Sequence, residues 1–512
     1  MTNPDTYDVA VIGYGPTGAT AANLLGQLGL KVVVIERDPD IYGRARAIST
    51  DEEVMRIWQS IGLADRLQQD MLPDRPLNFV DANGVPFIDL KITPRGAGHP
   101  PQQFLYQPAV DKVLREGVQR FAHVEVLLEH ECLRVHPVDD GVELMLADLR
   151  TDTLKRLRAS YVIAADGGSS PTRGQLGVGY TGRTYSERWV VIDTKVLKEW
   201  DAHDRLRFHC NPARPTVDCP TPLGHHRWEY PARASEDEQE LLSEKAIWKV
   251  LNDQGITEEN VKILRAVIYS HHVRVADRWR LGRVFLAGDA AHAMPPWIGQ
   301  GMSAGVRDAA NLCWKLAAVL KGQSPESLLD SYQAERKPHL IDVTRRACLA
   351  GRIITERRRA VAVVRNHVLR TLARLPGLDD RLQKVTWIPD ARYREGFFAP
   401  VRQRAVGWQI PQPWVTDADG AKVRLDDVLG GRWAILHVGP PPSGAQSWTA
   451  LGVPTVQVVE PTLVHWLRQK KSVAAVLRPD GFIYAATGSD QPLPPPPAGY
   501  VFSTATRTEA NA

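Results

Sequence analysis

The sequence predicts an α/β protein built on a Rossmann-like dinucleotide-binding domain, and three segments carry that prediction. The first is residues 7–36: an apolar run over 7–12, a glycine-rich turn, an Ala/Leu-rich helical pattern to Leu28, and a second apolar run over 32–35 that ends on Glu36. The second is the apolar run 161–165, which ends in Asp166 and Gly167. The third is 284–287, which ends in Gly288 and Asp289. Short, nearly continuous apolar runs of this kind are strands buried on both faces, as in a parallel sheet covered by helices.

The turn after the first strand reads Gly13, Tyr14, Gly15, Pro16, Thr17, Gly18. Gly13 permits the tight turn, Gly15 lets the backbone approach a pyrophosphate, and Gly18 lets helix and strand pack closely. Pro16 and Thr17 open the helix whose N-terminus faces the phosphates with free N–H groups and a positive dipole end. Glu36, followed by Arg37, can accept the ribose hydroxyls and would repel a 2′-phosphate, which favours FAD or NAD over NADP at this site. A second Gly-x-Gly-x-x-Gly at 177–182 follows a turn rather than an apolar strand and has no acid-terminated strand after it, so it reads as a loop entering a strand.

The later motifs decide for FAD. Carboxylates at strand ends, Asp166 beside Gly167 and Asp289 beside Gly288, suit the hydroxyls of a ribityl chain. The loop 295–302, from Pro295 through Gly299 and Gly301 to Met302, then opens a helix at Ser303. Its glycines allow a flat ring to approach the backbone, and the helix start offers N–H donors to the charge of a reduced flavin.

In their order and spacing these motifs resemble the single-component FAD-dependent aromatic hydroxylases, the family of p-hydroxybenzoate hydroxylase. The segments 224–230 and 299–312 are similar to the 3-(3-hydroxyphenyl)propionate hydroxylase branch, over about residues 5–345 strongly and more loosely beyond. The resemblance implies an FAD domain assembled from 1–75, 105–180 and 277–345, and an inserted mixed-sheet substrate domain from 76–104 and 181–276. A helical connector at 346–400 and a thioredoxin-like C-terminal domain at 401–512, free of cysteine, complete it. It also implies flavin contacts for Arg46 and Gln107, and places Asp166 and Arg173 near the pyrophosphate and nicotinamide nucleotide. Ser303 stands where many relatives carry Asn. NADH or NADPH would bind transiently as cosubstrate, with dioxygen as the second. The implied reaction is attack of a flavin C4a-hydroperoxide on a phenolic ring, ortho to its hydroxyl.

The strands expected at 189–193, 205–209, 227–230 and 263–269 should form one sheet that covers the flavin and holds the substrate. Candidate catalytic residues on or beside it are His225, His226 and Tyr230, with Pro295 in the flavin loop; His209, Tyr269 and His292 lie nearby. Strand alternation puts His225 and Arg227 on one face and His226 and Trp228 on the other. Arg207, Arg214 and Arg227 are candidates for a substrate carboxylate, which Arg binds with two parallel bonds. A resorcinol, a quinoline or a polycyclic natural product fits the motifs equally, and so does a catalytically silent FAD-binding sensor. A flavin halogenase lacks support because Trp-x-Trp-x-Ile-Pro is absent, and a disulfide reductase because no close cysteine pair exists.

The remaining features bound the class. With 63 basic and 59 acidic residues the net charge is +4, which gives no argument for nucleic acid. The five cysteines form no CxxC pair, no metal site is suggested, and no apolar run reaches the length of a membrane span. A cytoplasmic enzyme of a small aromatic substrate is expected, without integral membrane association and with a homodimer allowed. The basic stretch with Arg357, Arg358, Arg359, Arg365, Arg370 and Arg374 reads as a solvated helix face.

Overall fold

The computed structural model describes residues 5–41, 43, 46–233, 235–373, 375, 388–417 and 419–502. Arg44 and Ala45 beside Arg46, Arg374 of the basic stretch, Ala418, residues 376–387 of the expected connector and residues 503–512 lie outside the described residues.

The cofactor sheet orders its main strands Arg280–Leu281, Val284–Leu286, Thr153–Ala164, Asp5–Ile12, Val32–Ile35 and Val124–Leu127. All but the first edge strand run parallel. Ile12 stands beside both Ala164 and Ile35, and Ala164 beside Leu286, so these strands end together along one edge. In an open parallel sheet that edge is where ligands bind. Both faces are covered, which is why the strands read as continuous apolar runs. Val9, Val11, Val32 and Ile163 pack against the helices Pro16–Gln27, Gln107–Val118 and Gly301–Leu320, while Ala10, Val33 and Val162 pack against the hairpin His130–Val138 and Gly141–Asp148.

A second, eight-stranded sheet runs in the order His292–Ala293, Val261–Ala276, Tyr180–Val196, His225–Pro231, Thr216–Thr221, Leu206–His209, Leu77–Val80, Pro86–Leu90. Its register sets Asp193 beside both Arg227 and Arg265, so these three side chains share a face. The opposite face buries Val190, Ile192, Trp228 and Tyr230 among residues of the helices Glu238–Leu241 and Glu244–Asn252.

The C-terminal part holds a four-stranded sheet ordered Thr455–Gln457, Ala434–His437, Ala474–Leu477, Ile483–Thr487. A parallel pair followed by two antiparallel neighbours gives it a thioredoxin-like layout. Two clamps tie it to the cofactor domain. Arg56 donates to both oxygens of Asp426 at 2.6 Å, and Arg478 reaches Glu335 on the helix Ser331–Ile354. No helix among the described residues is long and apolar enough to cross a membrane.

Candidate active site

The sheet edge forms a cradle whose glycines divide into packing and open positions. A Cβ on Gly13, which has φ +97°, would lie 2.4 Å from the Ala165 carbonyl oxygen, and one on Gly18 would lie 2.0 Å from that of Gly13. Those two glycines let strand, turn and helix close on each other. Gly15, Gly167 and Gly301 instead have nothing within 4 Å of a built Cβ and line an open cavity, as do Pro16, Thr17, Gly299 and Met302. The helices Pro16–Gln27 and Gly301–Leu320 both begin there without a side-chain cap, so their first N–H groups are available to a ligand.

The side chains around the cradle are fixed from behind. Glu36 accepts from the backbone N–H of Tyr14 at 2.8 Å and of Asp38 at 3.0 Å. Arg37 is exposed beside Asp38 and does not line the cavity. Gln107 accepts from the backbone N–H of Arg46 at 3.0 Å and of Ala47 at 2.8 Å, which holds the Arg46 segment at the cavity. Asp166 accepts from Thr172 through Oδ2, while its buried Oδ1 has no partner. Arg173 bridges the carbonyls of Gly168 and Ala290 and so joins the two acidic turns. Behind the turn of Gly288 and Asp289, Asp308 accepts from Gly288 N at 3.0 Å and lies 2.7 Å from His292 Nε2. Ser303 is buried, and its Oγ is unpartnered. An orphaned carboxylate oxygen, open glycines and two uncapped helix ends are donors and acceptors of the kinds that FAD requires.

The cavity, about 750 Å³, runs from Gly15 and Asp289 past Pro295 and Trp297 into a chamber walled by Leu77, Phe79, Phe208, Val217 and Ile354. Its polar wall comes from the second sheet: Arg227, Glu229, Arg265, Tyr269 and His271. Asp193 behind it accepts from Arg227 Nε at 2.7 Å and Arg265 Nε at 2.5 Å. Burial pushes the Asp193 carboxyl up, but the two guanidiniums outweigh it and hold the group below its ordinary range. Tyr269 donates to Glu229 at 3.1 Å. Burial raises the Glu229 carboxyl above its ordinary range, against the pull of Arg227 and the Tyr269 hydroxyl. Such a wall can hold an anion and a hydroxyl beside an apolar chamber.

Of the expected catalytic residues, Pro295 lines the cavity, and His225, His226 and Tyr230 do not. Alternation explains the correction. Arg227 and Glu229 take the cavity side, so His226 and Tyr230 turn to the opposite face. There His226 lies 3.0 Å from the buried Asp218 and Tyr230 is fully buried. His225 shares the parity of Arg227 but sits at the strand's start, stacked on Tyr106 with ring centroids 4.8 Å apart. His292 is spent on Asp308, and His209 on Asp218. Among the arginines proposed for a carboxylate, Arg207 pairs with Asp218 and Arg214 with Glu236; Arg227 alone of the three lines the cavity. Asp193, Glu229, Arg265 and His271 were not among the sequence candidates. The signal that finds them is the alternation of 265, 267, 269 and 271 along one strand, with Asp193 and Arg227 as register partners.

Comparison with known proteins agrees with this geometry. Residues 6–347 match the family of the FAD binding domain, and residues 407–494 match that of the HcaD C-terminal domain. The chain is 34% identical over 515 residues to the 3-(3-hydroxy-phenyl)propionate/3-hydroxycinnamic acid hydroxylase of Burkholderia cenocepacia (strain HI2424), covering 95% of this chain and 94% of that protein. The fold is shared with the flavin-dependent monooxygenase PieE, crystallised with FAD and substrate, at a TM-score of 0.81 and 22% identity, covering 95% of this chain and 96% of the other. It is shared also with aklavinone-11 hydroxylase, crystallised with FAD and aklavinone, at a TM-score of 0.77 and 23% identity, covering 96% and 97%.

Proposed function

We propose, from the premise that this chain belongs to the FAD binding domain family and is an FAD-dependent aromatic hydroxylase, that its substrate is a phenol bearing a short carboxylate side chain. The 3-(3-hydroxyphenyl)propionate kind is the specific reading, with the new hydroxyl entering ortho to the old one. The observation that carries it is the placement of two guanidiniums, Arg227 and Arg265, on the wall of the cavity that also holds the apolar chamber. A substrate carboxylate would make charge-assisted bonds to this basic wall, while Phe79, Phe208 and Val217 receive the ring. The name of the Burkholderia relative supports the same substrate class.

Bound FAD supplies electrons taken from NADH or NADPH and the transfer of an oxygen atom from dioxygen to the ring. The chain's own part is placement. Gly15, Pro16 and Thr17 would receive the pyrophosphate, Glu36 the ribose, Asp166 and Asp289 the ribityl and phosphate region, and the Gly301 helix end the flavin ring. The apolar chamber excludes water, and the cysteine-free C-terminal unit acts as a brace.

The test is NADH oxidation by the purified yellow protein with oxygen and peroxide followed together, for 3-(3-hydroxyphenyl)propionate and for the uncharged 3-ethylphenol. The acid should stimulate strongly and give a catechol with little peroxide. Arg265→Leu should raise KM for the acid about tenfold to a hundredfold, the value of a lost charge-assisted bond, and leave 3-ethylphenol within about threefold. Equal effects on both compounds, or no stimulation by the acid, would overturn the carboxylate reading.

A further inference from the structure

We infer that His271 receives the hydroxyl group of the phenolic substrate and thereby fixes which ring carbon is presented for oxygenation; this rests on the phenol reading above. His271 follows Arg265, Val267 and Tyr269 along the cavity-facing side of the strand Val261–Ala276. It is 4% exposed, and its Nε2 is buried without a hydrogen-bond partner. Unmet polar atoms in a native interior are few, and each calls for a cause such as a ligand.

The neighbours show why the ring is held there. Trp189 stacks on the imidazole at 5.3 Å and 20°, and Trp297 meets it edge-on at 5.4 Å and 87°. Trp297 belongs to the turn Pro296–Ile298, between Pro295 and Gly299, so His271 stands where the chamber meets the loop that would hold the flavin ring. The neighbouring hydroxyl on this strand, that of Tyr269, is already spent on Glu229. Burial, with a smaller push from His272, lowers the His271 pKa to about 4, so the imidazole is neutral at ordinary pH. A neutral ring keeps a lone pair that accepts a hydrogen bond from a phenol O–H without taking its proton, since phenol ionises near pKa ~10. With the carboxylate at Arg265 and the hydroxyl at His271, the aromatic ring is held at two points, and two-point attachment sets its orientation.

The experiment compares the affinities of 3-(3-hydroxyphenyl)propionate and 3-phenylpropionate, which lacks the hydroxyl, by the change each makes in the flavin absorbance of the holoenzyme. His271→Phe keeps a ring in the stack and removes the hydrogen-bonding group; His271→Gln keeps such a group. The wild type should prefer the hydroxylated acid by about tenfold or more. His271→Phe should lose that preference with 3-phenylpropionate binding unchanged within about threefold, form less catechol per NADH and release more peroxide. His271→Gln should recover part of the preference, and it alone decides should the Phe variant not retain FAD. A Phe variant with the wild-type preference, or one that weakens both ligands equally, overturns the inference. A wild type that binds neither acid overturns the substrate reading itself.

Discussion

A Gly15→Val variant should purify as a folded, colourless protein. Gly15 sits at φ −75° and ψ −173°, extended backbone that any residue adopts, and a Cβ built on it meets nothing within 4 Å. The fold therefore has no use for the missing side chain; the ligand does. The residue lines the cavity at the uncapped start of the helix Pro16–Gln27, where the backbone must approach the pyrophosphate. Two branching methyls there should weaken FAD binding by about 3 kcal/mol or more, a hundredfold or greater loss. The same change at Gly18 would push a Cβ against the Gly13 carbonyl at 2.0 Å and would cost the fold as well. The ratio of flavin to protein absorbance after purification reads the first effect. Thermal unfolding of the apo forms reads the second, with Gly15→Val within about 2 °C of wild type, which for a chain this long is no more than about 2 kcal/mol. A yellow Gly15→Val protein at full occupancy would remove Gly15 from the cradle.

The contrast between Gly15 and Gly18 also shows why the cofactor half was legible in the sequence. Strand, turn, helix and acid-terminated strand follow one another within residues 7–36, so local chain geometry fixes their arrangement. The parallel order of the sheet then brings the ends at Ile12, Ile35, Ala164 and Leu286 to one edge. The substrate wall has no such local code. Asp193 meets Arg227 across 34 residues and Arg265 across 72, and only the register of three strands places them together. Alternation correctly separates Arg227 from His226 and Trp228. Which face looks inward depends on where the helices Glu238–Leu241 and Glu244–Asn252 pack, and they cover Trp228 and Tyr230. His271 escaped because the strand expected at 263–269 continues to Ala276. The basic stretch that begins at Arg357 reads from the sequence as a solvated helix face. Arg358 fits that reading; upstream of it, Glu335 and Arg336 are buried in charge networks that no single-segment pattern reveals.

The network around Glu335 makes it a position where one substitution should cost much stability. Its carboxylate accepts from Lys315 Nζ at 2.9 Å, Asn311 Nδ2 at 2.6 Å, Phe397 N at 2.9 Å, and Arg478 Nη1 and Nη2 at 2.7 and 3.0 Å. Lys315 lies on the helix Gly301–Leu320, while Phe397 and Arg478 come from the C-terminal part, so one side chain joins the flavin-loop helix to the brace. Glu335→Ala takes the carboxylate partner from buried Lys315 and leaves Arg478 with Asp480 alone, and should destabilise the protein by about 3–5 kcal/mol, the usual cost of breaking a buried pair from one side. Glu335→Gln, which keeps the shape and some of the bonds, should fall between. Burial pushes this carboxyl up, but Arg478 and Lys315 outweigh it and hold its pKa at about 2, below the ordinary 4.5. A group depressed on folding contributes fully above its unfolded value and fades as pH falls toward its folded one. The stability gap between wild type and Glu335→Ala should therefore be widest above pH 4.5 and narrow as pH drops toward about 2. A gap that stays constant with pH would mean that packing against Gly396, not charge, sets the cost. The loss should also reach the cofactor. The next residue, Arg336, donates to Asp308 at 2.8 Å, and Asp308 holds the Gly288 N–H at 3.0 Å. Loosening the helix at Glu335 relaxes the Gly288 and Asp289 turn, so FAD should dissociate faster from the Ala variant although no residue of the cavity has been changed.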